Sequence, residues 1–417
     1  MLTSTPTSKE TIKPLSPWAG FWEIPACRWG AMGLLLALMV VVGGYVILPD
    51  PSPNANDGNI QLRKQAPNFV ADILVVRKNA EIDFPSYIER WWKGTPSKYL
   101  LEPYDSLVID GDFVKILPFG SQKDRWKRYH ICDVTTPLYV GPLEEMQFPS
   151  ARPYIKEHGG YRILMANGKD RFRSMAELHL DLEDHLSSRR YWLGTDRAGR
   201  DLLSRLLLGT RISLSIGLLA ALLSVAIGVL VGSLAGYYGG WQDQVLSWFM
   251  TVVWSIPAIM LIIAISLAFQ QKGVMVSFIA VGMTMWVEVA RLVRGQVMAL
   301  KNALYVEAAR TIGLSDFKIV FVHILPNIVG ELIVMGTANF AAAILLEAGL
   351  SFLGLGVQPP APSWGGMLME GFNALGTRNS FHLVFFPSLA IMGMVGSINL
   401  LGNGLRTLSD PKRKVKG

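Results

Sequence analysis

The sequence predicts an all-α polytopic membrane protein with six transmembrane helices and a mixed α/β domain inserted between helices 1 and 2. Its 417 residues are 51% hydrophobic and only 17% charged, and the mean hydropathy is +0.33. The apolar residues occur in long runs instead of at the amphipathic spacing of soluble helices. A helix needs about 20 residues to cross roughly 30 Å of hydrocarbon. The runs that reach this length cover approximately residues 30–48, 212–235, 245–269, 274–290, 328–350 and 383–405.

Basic residues in the short loops predict the orientation, because Lys and Arg near span ends concentrate in the cytoplasm. Loop 291–327, between the fourth and fifth runs, is rich in cations, and a basic tail, residues 406–417, follows the sixth run. Both are therefore expected to be cytoplasmic, and the count of six spans puts the N-terminal residues 1–29 on the same side. The net charge of +7 then reflects topology, and no nucleic-acid partner is expected.

The polar stretch between the first two runs, residues 49–190, is long enough to bury a small core and is expected to form an extracytoplasmic domain. Its segment DSLVIDGDFVKILPF, residues 105–119, alternates polar and apolar residues as strands do. A hairpin is predicted within residues 161–172, where Asn167-Gly168 favours a tight turn. Residues 174–190 are predicted to be a helix that begins with a capping box. None of these segments carries a motif with assignable chemistry.

Residues 191–211 connect the insert to the core, residues 212–405, which holds the other five spans. Leucines in helical register between Asp196 and Arg211 predict an amphipathic segment along the outer membrane surface. An ordinary amphipathic connector explains the pattern equally well. Near the other end, Gly354 to Trp364 is too rich in Gly and Pro for a helix and predicts a rigid outer loop.

A short helical hairpin is predicted between the fourth and fifth runs, within EAARTIGLSDFKIVFVHILPN, residues 307–327. Gly313 can take the left-handed conformation that ends a first helix. Ser315 is a fair N-cap for a second helix, residues 316–324, which Pro326 stops at the entrance to the next span. In the first helix, small alanine side chains would let a partner's groove approach the backbone closely.

This stretch resembles the EAA loop of ABC importer permeases, which reads Glu-Ala-Ala, three residues, Gly, nine residues, then Ile-x-Leu-Pro. In that family the loop docks into a cleft of the ATP-hydrolysing subunit. His323 stands where the general pattern has Ile. The resemblance therefore implies ATPase docking for the residues that match the pattern: Glu307, Ala308, Ala309, Gly313, Leu325 and Pro326.

Two further stretches resemble the C-type permease of dipeptide and oligopeptide importers. They are YWLGTDRAGRDLLSRLLLGTRISLSIG, residues 191–217, and EAGLSFLGLGVQPPAPSWGGML, residues 347–368. The resemblance implies the type I ABC importer permease fold and a multi-pass protein of the bacterial inner membrane. It also implies one half of a heterodimeric pore for peptides, completed by a second permease, two ABC ATPase subunits and an extracytoplasmic solute-binding protein. The insert departs from the compact family pattern.

The sequence gives no reason to expect catalysis, a cofactor or a metal site. It contains no GxxxxGK[ST] phosphate-binding loop, so energy is expected from another chain. It has no Cys/His cluster with the spacing of zinc ligands. An intramembrane serine protease centred on Ser351 would need His323 or His382 as its base, and Leu353 breaks the GxSxG pattern. The remaining alternatives are a secondary carrier driven by an ion gradient and an ABC importer for a non-peptide solute such as a nickel chelate.

Candidates for the transport pathway or its gating are Pro257, Asn339 and Glu347. Pro257 can kink the third span, and Asn339 places an amide in the middle of the fifth, although each serves helix packing equally well. Glu347 is ionisable within an apolar run, where charge is costly. It lies about 21 residues beyond Pro326, or roughly 32 Å along a helix, so an interfacial position is favoured over a buried proton or substrate site.

Overall fold

A computed structural model describes residues 21–80, 86–121, 125–141 and 152–409. Most of the predicted N-terminal tail and of the basic tail therefore lies outside the described residues. The chain divides into two compact units. The first comprises Met1–Met39, Ile212–Gln358 and Leu389–Gly417, and the second comprises Val40–Arg211 and Pro359–Ser388. The second unit is larger than the predicted insert, because it also takes in the start of the following helix and a later segment.

The main helices of the described chain are numbered in chain order. They are α1 (Pro25–Gly43), α2 (Tyr87–Lys93), α3 (Ile131–Thr135), α4 (Met175–Asp184), α5 (Leu202–Tyr238), α6 (Gly240–Ser255), α7 (Ala258–Ala268), α8 (Val274–Leu300), α9 (Leu304–Thr311), α10 (Asp316–Lys318), α11 (Val329–Phe352), α12 (Trp364–Phe372) and α13 (Phe381–Ser409). Short 3-10 turns occur at Gly44–Val46, Pro53–Ala55, Ile60–Leu62 and Leu325–Ile328, and a π-helical segment covers Ile319–Ile324.

Among the described residues, five helical segments are long and apolar enough to cross a membrane. They are Pro25–Val46, Leu202–Tyr238, Val274–Leu300, Asp316–Phe352 and Phe381–Leu408. Helices α6 and α7 would make a sixth span if the pair crosses as one, although a bend of 93° separates them. The structure therefore supports five or six spans, and the predicted six requires that α6 and α7 cross as one. The helices extend beyond the apolar runs because polar residues continue the helical hydrogen bonding at both ends.

Glycines allow α5 and α8 of the first unit to pack closely. A Cβ atom built on Gly232 would lie 2.4 Å from the carbonyl oxygen of Ala290, and one built on Gly228 would lie 2.4 Å from Cβ of Val289. Neither distance is sterically allowed, so each position needs glycine. Small residues spaced four apart are a common device for bringing membrane helices together, because apolar side chains gain little by leaving lipid for a protein neighbour.

The second unit contains two antiparallel sheets. The five-stranded sheet has the order β4-β3-β2-β1-β8 and the three-stranded sheet the order β5-β6-β7. The strands are β1 (Phe69–Arg77), β2 (Tyr99–Asp110), β3 (Phe113–Pro118), β4 (Lys127–His130), β5 (Tyr154–Glu157), β6 (Gly160–Leu164), β7 (Asp170–Ser174) and β8 (Leu186–Tyr191). A shared core forms from buried side chains of strands and of α3 and α4, including Leu74, Val114, Ile116, Ile131, Val134, Ile163, Leu178 and Leu182.

The predicted strand character of residues 105–119 and the predicted hairpin within residues 161–172 are both confirmed. Asp110 pairs with Phe113 where β2 turns into β3, and Leu164 pairs with Asp170 across the Asn167-Gly168 turn. The capping box at the start of α4 is also present, since Ser174 and Glu177 each accept a hydrogen bond from the other's backbone N–H. These features follow from local sequence, which explains why they could be predicted.

Two expectations for residues 174–211 were wrong. The predicted helix 174–190 ends at Asp184. Leu186–Tyr191 instead forms strand β8, which pairs antiparallel with β1. Nor does a surface helix begin at Asp196. The backbone is left-handed at Gly199 (φ +76°), so a turn precedes α5. From Leu202 that helix continues without a break through Arg211 to Tyr238.

Candidate functional site

The predicted cytoplasmic hairpin is helical on both sides of a left-handed glycine. Helix α9 ends at Thr311, and Gly313 has φ +79°. The second helix differs from the prediction. After α10 it changes to π-helical and then 3-10 hydrogen bonding, and it continues into α11. Pro326 lies in the first turn of the 3-10 segment and therefore does not stop the helix, because a missing N–H is tolerated there. Ser315 occupies the N-cap position without a side-chain cap bond.

The inner face of this hairpin belongs to a buried cluster of the first unit. Ala309 and Leu325, two of the residues matched to the docking pattern, are buried here. Their side chains are already covered by this chain, and their docking role stays a prediction. The cluster joins the hairpin to α5 and α8 through Tyr237, Val289, Val293, Val297, Val306, Ala309, Ile319, Val320, Ile324, Leu325 and Ile328.

The outer face of the hairpin is exposed and partly apolar. Glu307, Ala308, Gly313 and Pro326 are exposed, as the docking prediction requires. Sequence reasoning missed larger apolar side chains beside them, which we call the hairpin patch: Leu304, Ile312, Phe317 and Val322. Ile312 is 75% exposed and Phe317 69% exposed. An i, i+4 aromatic pair was the available signal, since the rings of Phe317 and Phe321 stack with centroids 4.4 Å apart.

Polar contacts also tie the hairpin to the end of α5. The hydroxyl of Tyr237 donates to the Asp316 carboxylate at 2.7 Å, and the Arg310 guanidinium lies 5.3 Å from the centre of the same ring. Tyr237 thus contacts residues on both sides of the turn. The buried cluster and these contacts together join the hairpin to α5, and the cluster also joins it to α8.

Pro257 lies at the break between α6 and α7, where the sequence predicts a kink in the third span. It occupies the N-cap position of α7 with an extended backbone, φ −54° and ψ 127°. At the start of α6, Asp243 accepts two hydrogen bonds from Arg294 of α8, at 2.5 and 2.7 Å. A bidentate pair of this kind fixes orientation as well as distance. It therefore holds the N-terminal end of α6 against α8.

Asn339 and Glu347 both face α5 from the buried side of α11. The Asn339 amide donates to the Ser224 hydroxyl at 3.0 Å. Glu347 is fully buried, and its carboxylate accepts hydrogen bonds from Ser351 at 2.7 Å and from Ser213 at 3.4 Å. The interfacial depth of Glu347 in the membrane stays a prediction. Within the protein its carboxylate is enclosed, and the serine hydroxyls supply the hydrogen bonds that water would supply at an exposed site.

A buried ionic cluster in the second unit was also missed. Asp196 accepts from the Arg200 guanidinium at 2.6 Å and lies 3.3 Å from that of Arg205. Arg200 also donates to Glu370 at 3.2 Å and to Asn56 at 3.0 Å. The sequence predicts an amphipathic segment at the membrane surface here, yet both arginines are almost fully buried. Buried charges require partners of this kind. In the sequence, the spacing of four residues between Asp196 and Arg200 was the available signal for the cluster.

Ser351 and His382, candidates for a serine protease, each make a different contact. The Ser351 hydroxyl donates to Glu347 and accepts from the backbone N–H of Val357. His382 contacts the carbonyl oxygen of Thr195 through Nε2 at 3.2 Å. Among the residues that the structure describes, no group of three or more His, Cys, Asp or Glu side chains could hold a metal ion.

Comparisons with known proteins find one family and several relatives. Residues 228–415 match the family of binding-protein-dependent transport system inner membrane components. The chain is 44% identical over 227 residues to the glutathione transport system permease protein GsiD of Pectobacterium atrosepticum, covering 54% of this chain and 74% of that protein. The values for GsiD of Escherichia coli are the same. A solved inward-facing MetNI methionine ABC transporter aligns at 18% identity with a TM-score of 0.43, over 50% of this chain and 98% of that one.

Proposed function

Because the chain belongs to the family of peptide-type ABC importer permeases, we propose that it forms half of a translocation pathway for small peptides. In this proposal the hairpin is the part that the ATP-hydrolysing subunits hold. The family as a whole implies a partner permease, separate ATPase subunits and a binding protein. A second permease chain, two ATPase subunits and an extracytoplasmic binding protein are the specific partners that we propose.

The observation that carries the coupling proposal is the two-sided construction of the hairpin. Its inner face is buried against α5 and α8, and its outer face exposes the hairpin patch together with Glu307 and Ala308. An exposed apolar patch with a polar rim is typical of a protein interface. Small Ala308 would let the partner approach the helix backbone, while Ile312 and Phe317 would fill its groove. Ala309 and Leu325 would support this face from beneath.

Transport would follow from movement of the hairpin. When bound ATP draws the ATPase subunits together, the hairpin moves with them and carries α8 through the buried cluster. Asn339 and Glu347 bind serines of α5 from α11. A shift of α11 relative to α5 would break both contacts, so these polar pairs are the proposed gating points. Pro257 would let α7 change its angle to α6.

The proposed orientation places the hairpin and both termini in the cytoplasm, and the insert outside. It rests on the basic residues of loop 291–327 and of the C-terminal tail. The peptide substrate is supported by the GsiD relatives, since glutathione is a tripeptide. No observation favours a secondary carrier or a nickel chelate as cargo.

Co-purification tests the coupling proposal with two matched phenylalanine variants. Phe317→Ser changes the hairpin patch, whereas Phe269→Ser changes another exposed phenylalanine, which follows α7. Each variant is co-expressed with the ATPase subunits and the second permease of the same transporter. Phe317→Ser should lose most of the ATPase while retaining the second permease, and Phe269→Ser should keep both. Equal ATPase recovery from the two variants would contradict the docking role.

Uptake into proteoliposomes tests the substrate. The complete complex, with its binding protein, should accumulate radiolabelled di- and tripeptides only when ATP is present on the side of the hairpin. Uptake that follows an imposed ion gradient without ATP would favour the secondary carrier. Uptake of a nickel chelate that unlabelled peptide does not inhibit would contradict the peptide substrate. It would leave the proposed ATPase coupling untouched.

A further inference from the structure

Helix α2 of the second unit separates apolar from charged side chains although it is only two turns long. Successive residues of a helix are rotated by about 100°, so the apolar residues fall within an arc of about 140°. The charged residues fall within an arc of about 100° on the other side. The apolar face consists of Tyr87, Ile88, Trp91 and Trp92, and the charged face of Glu89, Arg90 and Lys93.

The apolar face is exposed to an unusual degree. Tyr87 is 81% exposed, Ile88 74% and Trp92 54%, and α2 has no buried residue. A soluble helix turns such a face towards a core, whereas an interfacial helix turns it towards lipid. The helix is nevertheless well formed, because Ser86 and Glu89 make a capping box at its start and Lys93 lies 3.4 Å from Glu89.

Contacts hold α2 at the end of the membrane helix α1. The indole Nε1 of Trp91 donates to the carbonyl oxygen of Val42 at 2.8 Å. At Gly44 the chain passes so close that an added Cβ would lie 2.8 Å from the carbonyl oxygen of Trp91. The Arg211 guanidinium stacks 3.8 Å from the centre of the Trp92 ring and donates to the carbonyl oxygen of Trp92 at 3.0 Å. The depth of α2 is therefore fixed where α1 ends.

The exposed face of α2 continues the exposed apolar surface of that span. Val42, Val46 and Ile47 are exposed at the end of α1 and just beyond it. Between them and α2 lies an apolar groove of about 450 Å³, lined by Gly43, Val46, Ile47, Tyr87, Ile88 and Trp91. Trp and Tyr are enriched where a span meets the headgroups, because one end of each ring system is apolar and the other polar.

We propose that α2 is an interfacial anchor that lies in the lipid leaflet at which α1 ends. Its occupant is the lipid bilayer: acyl chains contact Tyr87, Ile88 and Trp92 and enter the groove. Arg90 and Lys93 face the headgroups, where basic side chains favour anionic lipid. The anchor holds the chain between α1 and the first sheet against the membrane surface.

Spin-label accessibility of the intact protein in lipid nanodiscs tests the anchor. A nitroxide is attached at Ile88→Cys on the apolar face and at Arg90→Cys on the charged face. The native Cys27 and Cys132 are fully buried, and labelling of the parent chain measures their background. Collision rates are then recorded with oxygen, which concentrates in lipid, and with a water-soluble nickel chelate. A second pair, Tyr87→Cys and Lys93→Cys, repeats the comparison. All four side chains are exposed and none belongs to the capping box, so folding should be kept.

The oxygen-to-nickel ratio should be severalfold higher at Ile88→Cys than at Arg90→Cys, because lipid concentrates apolar oxygen and excludes the water-soluble nickel chelate. Equal nickel accessibility of the two labels would mean that the apolar face lies in water. A label at Ile88→Cys that meets neither collider would mean that protein covers this face. Either result would overturn the anchor.

Discussion

Gly313 offers a sharp test of the hairpin geometry, because a substitution there changes backbone strain without causing a side-chain clash. Its φ of +79° is left-handed, and an added Cβ would meet nothing within 4 Å. Gly313→Ala therefore introduces backbone strain without a clash. The strain costs about 1–2 kcal/mol, and the lower entropy of the opened chain offsets about 0.4–1 kcal/mol of it. The net cost of about 1 kcal/mol corresponds to a roughly fivefold increase in local opening.

Hydrogen exchange measures this opening at the amides of Ile312, Gly313 and Leu314, which donate to carbonyl groups of α9. Their exchange should be about fivefold faster in Gly313→Ala, and less so in Gly313→Asn, because asparagine tolerates the left-handed region. Gly295→Ala is the matched control. Gly295 also has open space around its Cβ position but lies inside helix α8, so alanine should be neutral or stabilising there. Unchanged exchange in Gly313→Ala would refute the reasoning.

Three further substitutions test other parts of the structure. Ser351→Ala removes a hydroxyl that donates to the buried Glu347 carboxylate and should lower stability by about 1–3 kcal/mol in thermal unfolding; an unchanged midpoint would show that the contact is dispensable. Burial lowers the pKa of His130 to about 4, against 6.5 ordinarily. The unfolded chain then binds a proton that the folded chain lacks, so insert stability should fall as pH drops from 6.5 towards 4. His130→Asn keeps a cap acceptor for the N–H of Cys132 but cannot titrate, and protease resistance of its insert should lose that part of the pH dependence; an identical profile would contradict the assignment. Asp196→Ala leaves two buried arginines without their carboxylate and should cost about 3–5 kcal/mol, whereas Glu370→Gln, at a partly exposed position, should cost less; equal melting temperatures would contradict the cluster.

Local patterns predicted the features that depend on a few neighbouring residues. The apolar runs predicted the spans. The Gly313 turn, the capping box of α4 and the hairpin at Asn167-Gly168 followed from residue types at fixed spacing. Each of these is decided within one or two turns of chain. The effect of Pro326 was harder to predict. A proline at the start of a 3-10 turn does not end the helix, and the 3-10 turn itself depends on the packing around it.

Features that depend on distant residues could not be predicted from one sequence. A helix pattern does not say which of Ala308 and Ala309 faces inward until the positions of α5 and α8 are known. Likewise, Leu186–Tyr191 is a strand because β1 offers an open edge, although the preceding residues favour helix. The burial of Arg205 could not be predicted from the amphipathic pattern, because its partner Asp196 is recognisable only after the turn around Gly199 has formed.

The central claim is that the hairpin patch is held by an ATP-hydrolysing subunit in the cytoplasm. The most direct measurement places a photo-crosslinking residue at position 312, in place of the exposed Ile312, in cells that express the complete transporter. We expect a covalent adduct with the ATPase subunit, and no modification of an Ile312→Cys chain by a membrane-impermeant thiol reagent added to intact cells. An adduct with an extracytoplasmic protein, or ready modification from outside, would contradict it.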